Sequence, residues 1–353
     1  AAKPGAQAAA PPSPAAAPPR GLSPVATPRV PAPVVPAPPP LMKQGSGVAL
    51  FRRAASRSLA VEEGRDAWMD APGEDSDLEA VSEEEAPKPK LARKTPEVAT
   101  FLGMDKRPFY PLALFSSTVL GALCMLTVQR SMVQEAFGSA ALFGLFFGVL
   151  YVVTLGSMTY TALCDPGQVS PQWRPGDPLP RRAYKTWLYR RPVRRFDHYC
   201  RWLTNVIGLR NHREFMVMVG GLTAASFLGV AVDCFLLAAR LVMPLEHSGH
   251  LLLLHLAYSA GVGKYAAQIL RLHVGFVARN ELAKEWKNDD NYVLRLDDGS
   301  VVPVGQLSAD QYDEHEDDFE YDSTRNPWDQ GWQSNCLSFW TSSRWAPDQL
   351  GEF

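Results

Sequence analysis

The sequence predicts an all-α membrane protein: four transmembrane helices, a cytosolic loop domain between the second and the third, and a disordered N-terminal tail. Three observations predict it. Apolar runs of the roughly 20 residues that a helix needs to cross a bilayer core of about 30 Å begin only at Pro108. Eleven Lys and Arg residues crowd the segment between the second and third runs. Fourteen of the 30 prolines fall in the first 40 residues among alanines, a composition that buries too little apolar surface to offset chain entropy.

The tail, residues 1–104, continues from the Pro/Ala stretch into an acidic block, GEDSDLEAVSEEE, and a basic one, KPKLARK. It reads as a solvated linker, with a regulatory or partner-binding tail as the alternative. The first two helices occupy 105–164. One uncharged run extends over the 22 residues from Pro108 to Gln129, and a second over the 29 residues from Ala136 to Cys164. Asp165-Pro166-Gly167 then stops the helix with turn chemistry. The loop domain is 165–214, and helices three and four fill 215–278. The third run, Phe215–Ala239, is interrupted only by Asp233, read as an interfacial aspartate near the far end; the alternative is a functional group at membrane depth. The fourth, His250–Leu272, carries Lys264, Gln268 and Arg271 on one helix face; it reads as a span, with a buried soluble helix as the alternative. The C-terminal tail, 279–353, contains the acidic DEHEDDFEYD and is expected to be mobile.

Loop charge sets the orientation. The central segment holds all eleven cations, from Arg174 to Arg213, against one (Arg130) in the first link and none in MPLEHSG. Short loops rich in Lys and Arg stay in the cytosol, so the central loop and both termini are read as cytosolic in a multi-pass protein, with the organelle open. A net charge of −2 gives no support to nucleic-acid binding. The five cysteines include no CxxC pair, so neither a four-thiolate zinc site nor a disulfide framework is readable, and no metal ligand is assigned. No secretory signal peptide is seen. The chain starts with alanine, so its natural start is left open.

The chemistry concentrates in RRPVRRFDHYCRWLTNVIGLRNHREF, residues 190–215, where seven arginines surround Cys200. A thiolate is the nucleophilic form of cysteine, and nearby cations favour it. His198 stands where it can take the proton and Asp197 where it can orient the ring, the order nucleophile, base, orienter. Three such residues within four positions require a sharply bent backbone. The alternative is an incidental juxtamembrane cysteine, itself a palmitoylation target.

Asp197-His198-Tyr199-Cys200, followed by Trp202, Asn205, Gly208, Asn211 and Phe215, resembles the signature of the DHHC protein S-acyltransferases. DPG at 165–167, NPWDQGWQSNCLSFW at 326–340 with its later Asn335, and LAKE at 282–285, in which Glu285 alone matches, resemble the family's accompanying motifs. The resemblance covers roughly residues 105–340. It implies two-step transfer of a long-chain acyl group, such as palmitoyl. Cys200 attacks acyl-CoA to give an acyl-enzyme, and a cysteine of a protein substrate at the cytosolic membrane face then takes the chain. It implies His198 as base and Asp197 as its orienter. Arg190, Arg191, Arg194 and Arg195 are candidates to grip the CoA phosphates; fixing topology and touching anionic lipid is the alternative for each.

The family also carries zinc in a cysteine-rich domain, and here most of the ligands are absent. Tyr184 stands where a cysteine is expected, Tyr199 replaces a ligand histidine, Val206 replaces a later cysteine, and the stretch between Pro192 and Val193 that carries the remaining ligands is missing. Three readings stay open: a zinc-free variant, a catalytically inactive membrane adaptor, or a chain that lost a segment through splicing or gene prediction. With no zinc, packing of Trp187, Tyr189, Phe196 and Trp202 must hold the loop. A small transporter or channel using Asp233, Lys264 and Arg271 requires those groups to converge near the bilayer midplane, yet their places in the runs set them toward opposite faces.

Overall fold

The computed structural model describes residues 100–101, 104–105, 107–242 and 249–344. The tail expected to be disordered lies outside the described residues up to position 99. A small antiparallel pair, β1 (Thr100–Phe101) and β2 (Met104–Asp105), precedes the first helix. That helix, α1 (Phe109–Phe137), starts after Pro108, with Pro111 in the first turn, where a missing N–H costs no hydrogen bond. α2 (Ala141–Leu163), α3 (His212–Ala239) and α4 (Gly249–Arg279) complete the helical bundle. Among the described residues α1, α2 and α3 are the helices long and apolar enough to cross a membrane. α4 has the length, at 31 residues, but not the uniform apolarity, because it carries Lys264 and Arg271.

The helices are apolar inside and outside alike. Leu120, Leu142, Val152 and Leu254 point outward, while Met125, Met158, Leu236 and Leu252 are buried. A helix that is hydrophobic all round belongs in a lipid setting. α3 packs along both α4 and α2, and the main apolar cluster is built from α2, α3 and α4, with Met158, Val219 and Ala266 among its members and Phe115 of α1 packed against it.

Asp233 departs from the interfacial reading. It is fully buried between helices, accepting from Gln129 Nε2 at 3.0 Å and paired with His255 Nδ1 at 2.6 Å. Burial of an unpartnered carboxylate is costly, and the buried Gln129 that meets it closes a π turn over Met125–Gln129. Lys264 and Arg271 are exposed, so the three ionisable groups do not converge.

The acidic C-terminal run is folded rather than mobile, and the all-α expectation is corrected to a mostly helical protein with small sheets. After the short α5 (Ala283–Lys287), strands β5 (Tyr292–Arg295), β6 (Val301–Pro303) and β7 (Phe319–Tyr321) form an antiparallel sheet in the order β6-β5-β7. Tyr292, Leu294, Val304 and Phe319 make its core. DEHEDDFEYD spans the end of α6 (Ala309–His315) and β7. One aromatic in it, Phe319, goes inward and anchors the surrounding acids at the surface. The last helix among the described residues, α7 (Trp332–Thr341), packs on α4.

The buried pair generates a prediction. Asp233→Ala and His255→Ala each strand a partner in an apolar bundle, and each lowers the stability of the detergent-solubilised protein by about 1–3 kcal/mol. The double variant costs less than the sum, since the two changes remove one shared interaction. Thermal unfolding of the four proteins, read by intrinsic fluorescence, checks both points.

Candidate active site

The central loop is built from the ends of helices. α2 stops at Asp165, whose Oδ1 accepts from the N–H groups of Gly167 and Gln168 at 2.8 and 2.9 Å, a turn that Gly167 permits with φ of +111°. The last carbonyls of a helix have no partner within it. Here Asn205 Nδ2 donates to Thr161 and Cys164 carbonyls at 2.8 and 3.0 Å, and Asn211 Nδ2 to Val206 at 2.8 Å. At α4 the same chemistry recurs. Asn326 Nδ2 donates to the Arg279 carbonyl at 2.8 Å and Asn335 Nδ2 to the Ala278 carbonyl at 2.9 Å.

Between these anchors lies a hairpin, β3 (His198–Cys200) and β4 (Asn205–Ile207), with Tyr199 opposite Val206 and Cys200 opposite Asn205. The Pro192–Val193 junction is integrated into the fold. Val193 is fully buried, its backbone pairs with Tyr184 and Gln168, and it packs with Phe196, Val206, Tyr189 and Tyr199. Trp187 meets Tyr199 at 5.6 Å between ring centroids, and Trp202 meets Tyr110 of α1 at 5.4 Å. Gly208 lets the layers close: a Cβ there would lie 2.6 Å from Val193 Cγ1 and 2.9 Å from the Pro166 carbonyl oxygen.

The sharp bend that the sequence spacing requires is present. Arg195 takes a left-handed φ of +48° just before the hairpin. His198 and Cys200, two apart on one strand, then share a face, close enough for Cys200 to help raise His198. Asp197 Oδ2 lies 2.7 Å from His198 Nδ1, and Asp197 Oδ1 accepts from the Ala283 N–H at 2.8 Å. Burial opposes ionisation of Asp197, but the rings of His212, His198 and His273 hold its carboxyl well below the usual carboxylate range. Burial also disfavours the His198 imidazolium; hydrogen bonds to Asp197 and Cys200, with their charges, outweigh it and raise the group to about 9. The Cys200 sulfur is buried at the edge of the apolar cluster built from α2, α3 and α4.

The four arginines differ in exposure. Arg190 is exposed and Arg191 half-buried, its Nη1 donating to the Val169 carbonyl. Arg194 and Arg195 are buried; Arg195 Nη2 donates to Asn280 Oδ1 at 2.8 Å. Arg182, counted in the sequence only as a loop cation, grips Glu285 with two bonds of 2.6 and 2.7 Å and the Asn280 carbonyl at 2.5 Å, tying the loop to α5. His212 and His273 were also outside the sequence reading. His212 stands within the same motif, next to Asn211, whereas nothing local marks His273, which arrives from α4, 75 positions after His198.

The zinc positions of the resemblance do not fit a metal. Tyr199 and Val206 stand where two ligands are expected, and they are cross-strand partners in an apolar cluster. No step is therefore derived through zinc at those positions.

Residues 178–290 match the family model described as DHHC palmitoyltransferase. The chain is 32% identical over 95 residues to Palmitoyltransferase ZDHHC7 of Mus musculus, covering 21% of this chain and 31% of that protein. It is 43% identical over 49 residues to Palmitoyltransferase AKR1 of Debaryomyces hansenii, or 14% of this chain and 6% of the relative. A third similarity, 42% over 40 residues, is to Palmitoyltransferase akr1 of Schizosaccharomyces pombe, with 11% and 6% covered. The matches thus span less than a third of the length of these relatives.

Gly208→Ala forces Val193 and the Pro166 segment apart, a strain of about 1–3 kcal/mol. Limited proteolysis should then cut the 165–211 loop faster than in the parent, while the α3–α4 pair keeps its resistance.

Proposed function

Starting from the DHHC palmitoyltransferase domain that the chain carries at residues 178–290, we propose that it is a protein S-acyltransferase with Cys200 as the acyl carrier. The observation that supports this most is the setting of Cys200. On one side it meets the Asp197–His198 pair, and on the other the apolar interior of the helices. A long-chain acyl-CoA has the same division, a thioester between a water-soluble carrier and a fatty tail.

In the first step the Cys200 sulfur attacks the thioester carbonyl, the bond to the CoA sulfur breaks, and the departing thiolate takes the proton held on His198. In the second, a cysteine of a protein substrate gives its proton to His198 and its sulfur takes the acyl group. Cys200 is thereby released as thiolate beside a reprotonated ring. Asp197 orients His198 and stabilises its charge. Arg190 and Arg191 are the outward members of the proposed CoA-phosphate grip; Arg194 and Arg195, being buried, act in holding the loop. α4 serves as a fourth span, the loop faces the cytosol by its cation excess, and both termini lie on that side. The domain division follows: tail 1–104, helices 105–164, catalytic loop 165–214, helices 215–278, C-terminal segment 279–353. The bilayer, acyl-CoA and cytosol-facing protein cysteines are the partners.

Incubation of the purified chain with labelled palmitoyl-CoA tests the proposal. Hydroxylamine-sensitive label should appear and vanish in Cys200→Ser; a wild-type chain that takes no label is instead a non-catalytic adaptor. The pH profile provides a further check. A histidine whose value is raised by folding, here from 6.5 to about 9, contributes stability that is complete below 6.5 and lost as pH rises through 9. The imidazolium that protonates the leaving thiolate is lost over the same window. Label incorporation should therefore decline as pH rises through about 9, and Asp197→Asn should move that decline to lower pH.

A further inference from the structure

Asp197 is the hub of more side chains than the proposed transfer uses. Its Oδ2 lies 2.7 Å from His198 Nδ1, 3.8 Å from His273 Nδ1 and 3.9 Å from His212 Nε2. His212 is 2% and His273 5% exposed. Both nitrogens of His212 and Nδ1 of His273 are buried without a hydrogen-bond partner. A buried polar atom left unpaired costs about 1–3 kcal/mol, so three of them around one carboxylate call for an occupant. Asp197, His198 and His273 also each offer a ligand atom within 4.8 Å of one another.

We propose that Asp197, His212 and His273 form a binding site for a divalent transition-metal cation of the zinc type, set directly beside Cys200 and separate from the positions where the resemblance implies zinc. Imidazole nitrogen with carboxylate oxygen is the donor set such a cation takes. Tetrahedral bonds of about 2.0–2.1 Å place ligand atoms roughly 3.4 Å apart, so each ring, 3.8 or 3.9 Å from Oδ2, has to close on the carboxylate by about half an ångström. The outer support is already there: Asp197 Oδ1 is held by the Ala283 N–H at 2.8 Å, as ligating carboxylates are. A cation on Oδ2 draws off the lone pairs that hold the His198 N–H. Metal occupancy and a correctly oriented His198 then exclude each other, and the cation acts as an inhibitor. That consequence rests on the transferase reading; the site itself does not.

The test uses the full chain in detergent, stripped of metal and titrated with Zn²⁺ against a chromophoric chelator, with no acyl-CoA present. One equivalent should bind. His212→Gln and His273→Gln, which keep the volume and polarity of the position, should each weaken binding by at least ~10-fold, and Cys200→Ser should not. Bound Zn²⁺ should raise the unfolding temperature by mass action and slow the modification of His212 and His273 by diethyl pyrocarbonate, read by mass spectrometry on the wild-type chain. That last measurement stands even if a variant fails to fold. Absence of saturable binding at micromolar Zn²⁺, binding that survives both substitutions, or modification rates unchanged by Zn²⁺ overturns the site. Neither binding nor modification involves acyl transfer, so an inactive chain refutes the proposed function while leaving the metal site standing.

Discussion

The architecture of the site depends on how the carbonyl ends of two helices are satisfied. α2 and α4 each terminate beside the loop, and each ends on carbonyls that no further turn of helix can pair. Asparagine side chains meet them: Asn205 at α2, Asn326 and Asn335 at α4, with Asn211 bracing the turn behind. An amide has both donors and an acceptor, so each can grip a helix end and the loop backbone together. Asn205 does so visibly, accepting from Tyr189 and from the Val206 N–H at 2.6 and 2.8 Å with its oxygen. The hairpin carrying Cys200 is in this way referenced to rigid helices rather than to neighbouring loops.

This explains how the loop holds its shape where the resemblance leads one to expect a metal. A structural metal supplies folding energy directly. Here the two aligned ligand positions, Tyr199 and Val206, face each other across the hairpin and join Val193, Phe196 and Tyr189 in an apolar cluster. An aromatic opposite a β-branched residue is a favourable cross-strand pair. Arg182 adds a bidentate grip on Glu285, which gives the one matching residue of LAKE a physical role as a tether.

The long helices were legible because the requirement of lipid is crude: about 20 uncharged residues and a charge-rich loop between them. The compact grouping of Asp197, His198 and Cys200 was legible too, since strand alternation brings positions two apart to one face once the bend at Arg195 is made. The aromatic packing of Tyr189, Phe196 and Trp202 also followed from the sequence. What escaped depends on distant contacts. Asp233 looked interfacial because its partners, Gln129 and His255, come from two other helices. The acidic C-terminal run looked mobile because its charge masks a single inward Phe319. His273 carried no local mark at all.

The C-terminal sheet has a consequence for how such a protein can vary. Its strands leave the bundle just after the Arg182–Glu285 tether and rejoin it where Asn326 clasps the Arg279 carbonyl, within a few residues of their departure. Material inserted between two such fixed points closes a ring, and doubling a flexible ring adds only about 0.6 kcal/mol of closure entropy. The exposed turn between β5 and β6, residues 296–300, is therefore where this excursion takes up extra length without moving the Cys200 hairpin, whereas its buried core of Tyr292, Leu294, Val304 and Phe319 does not.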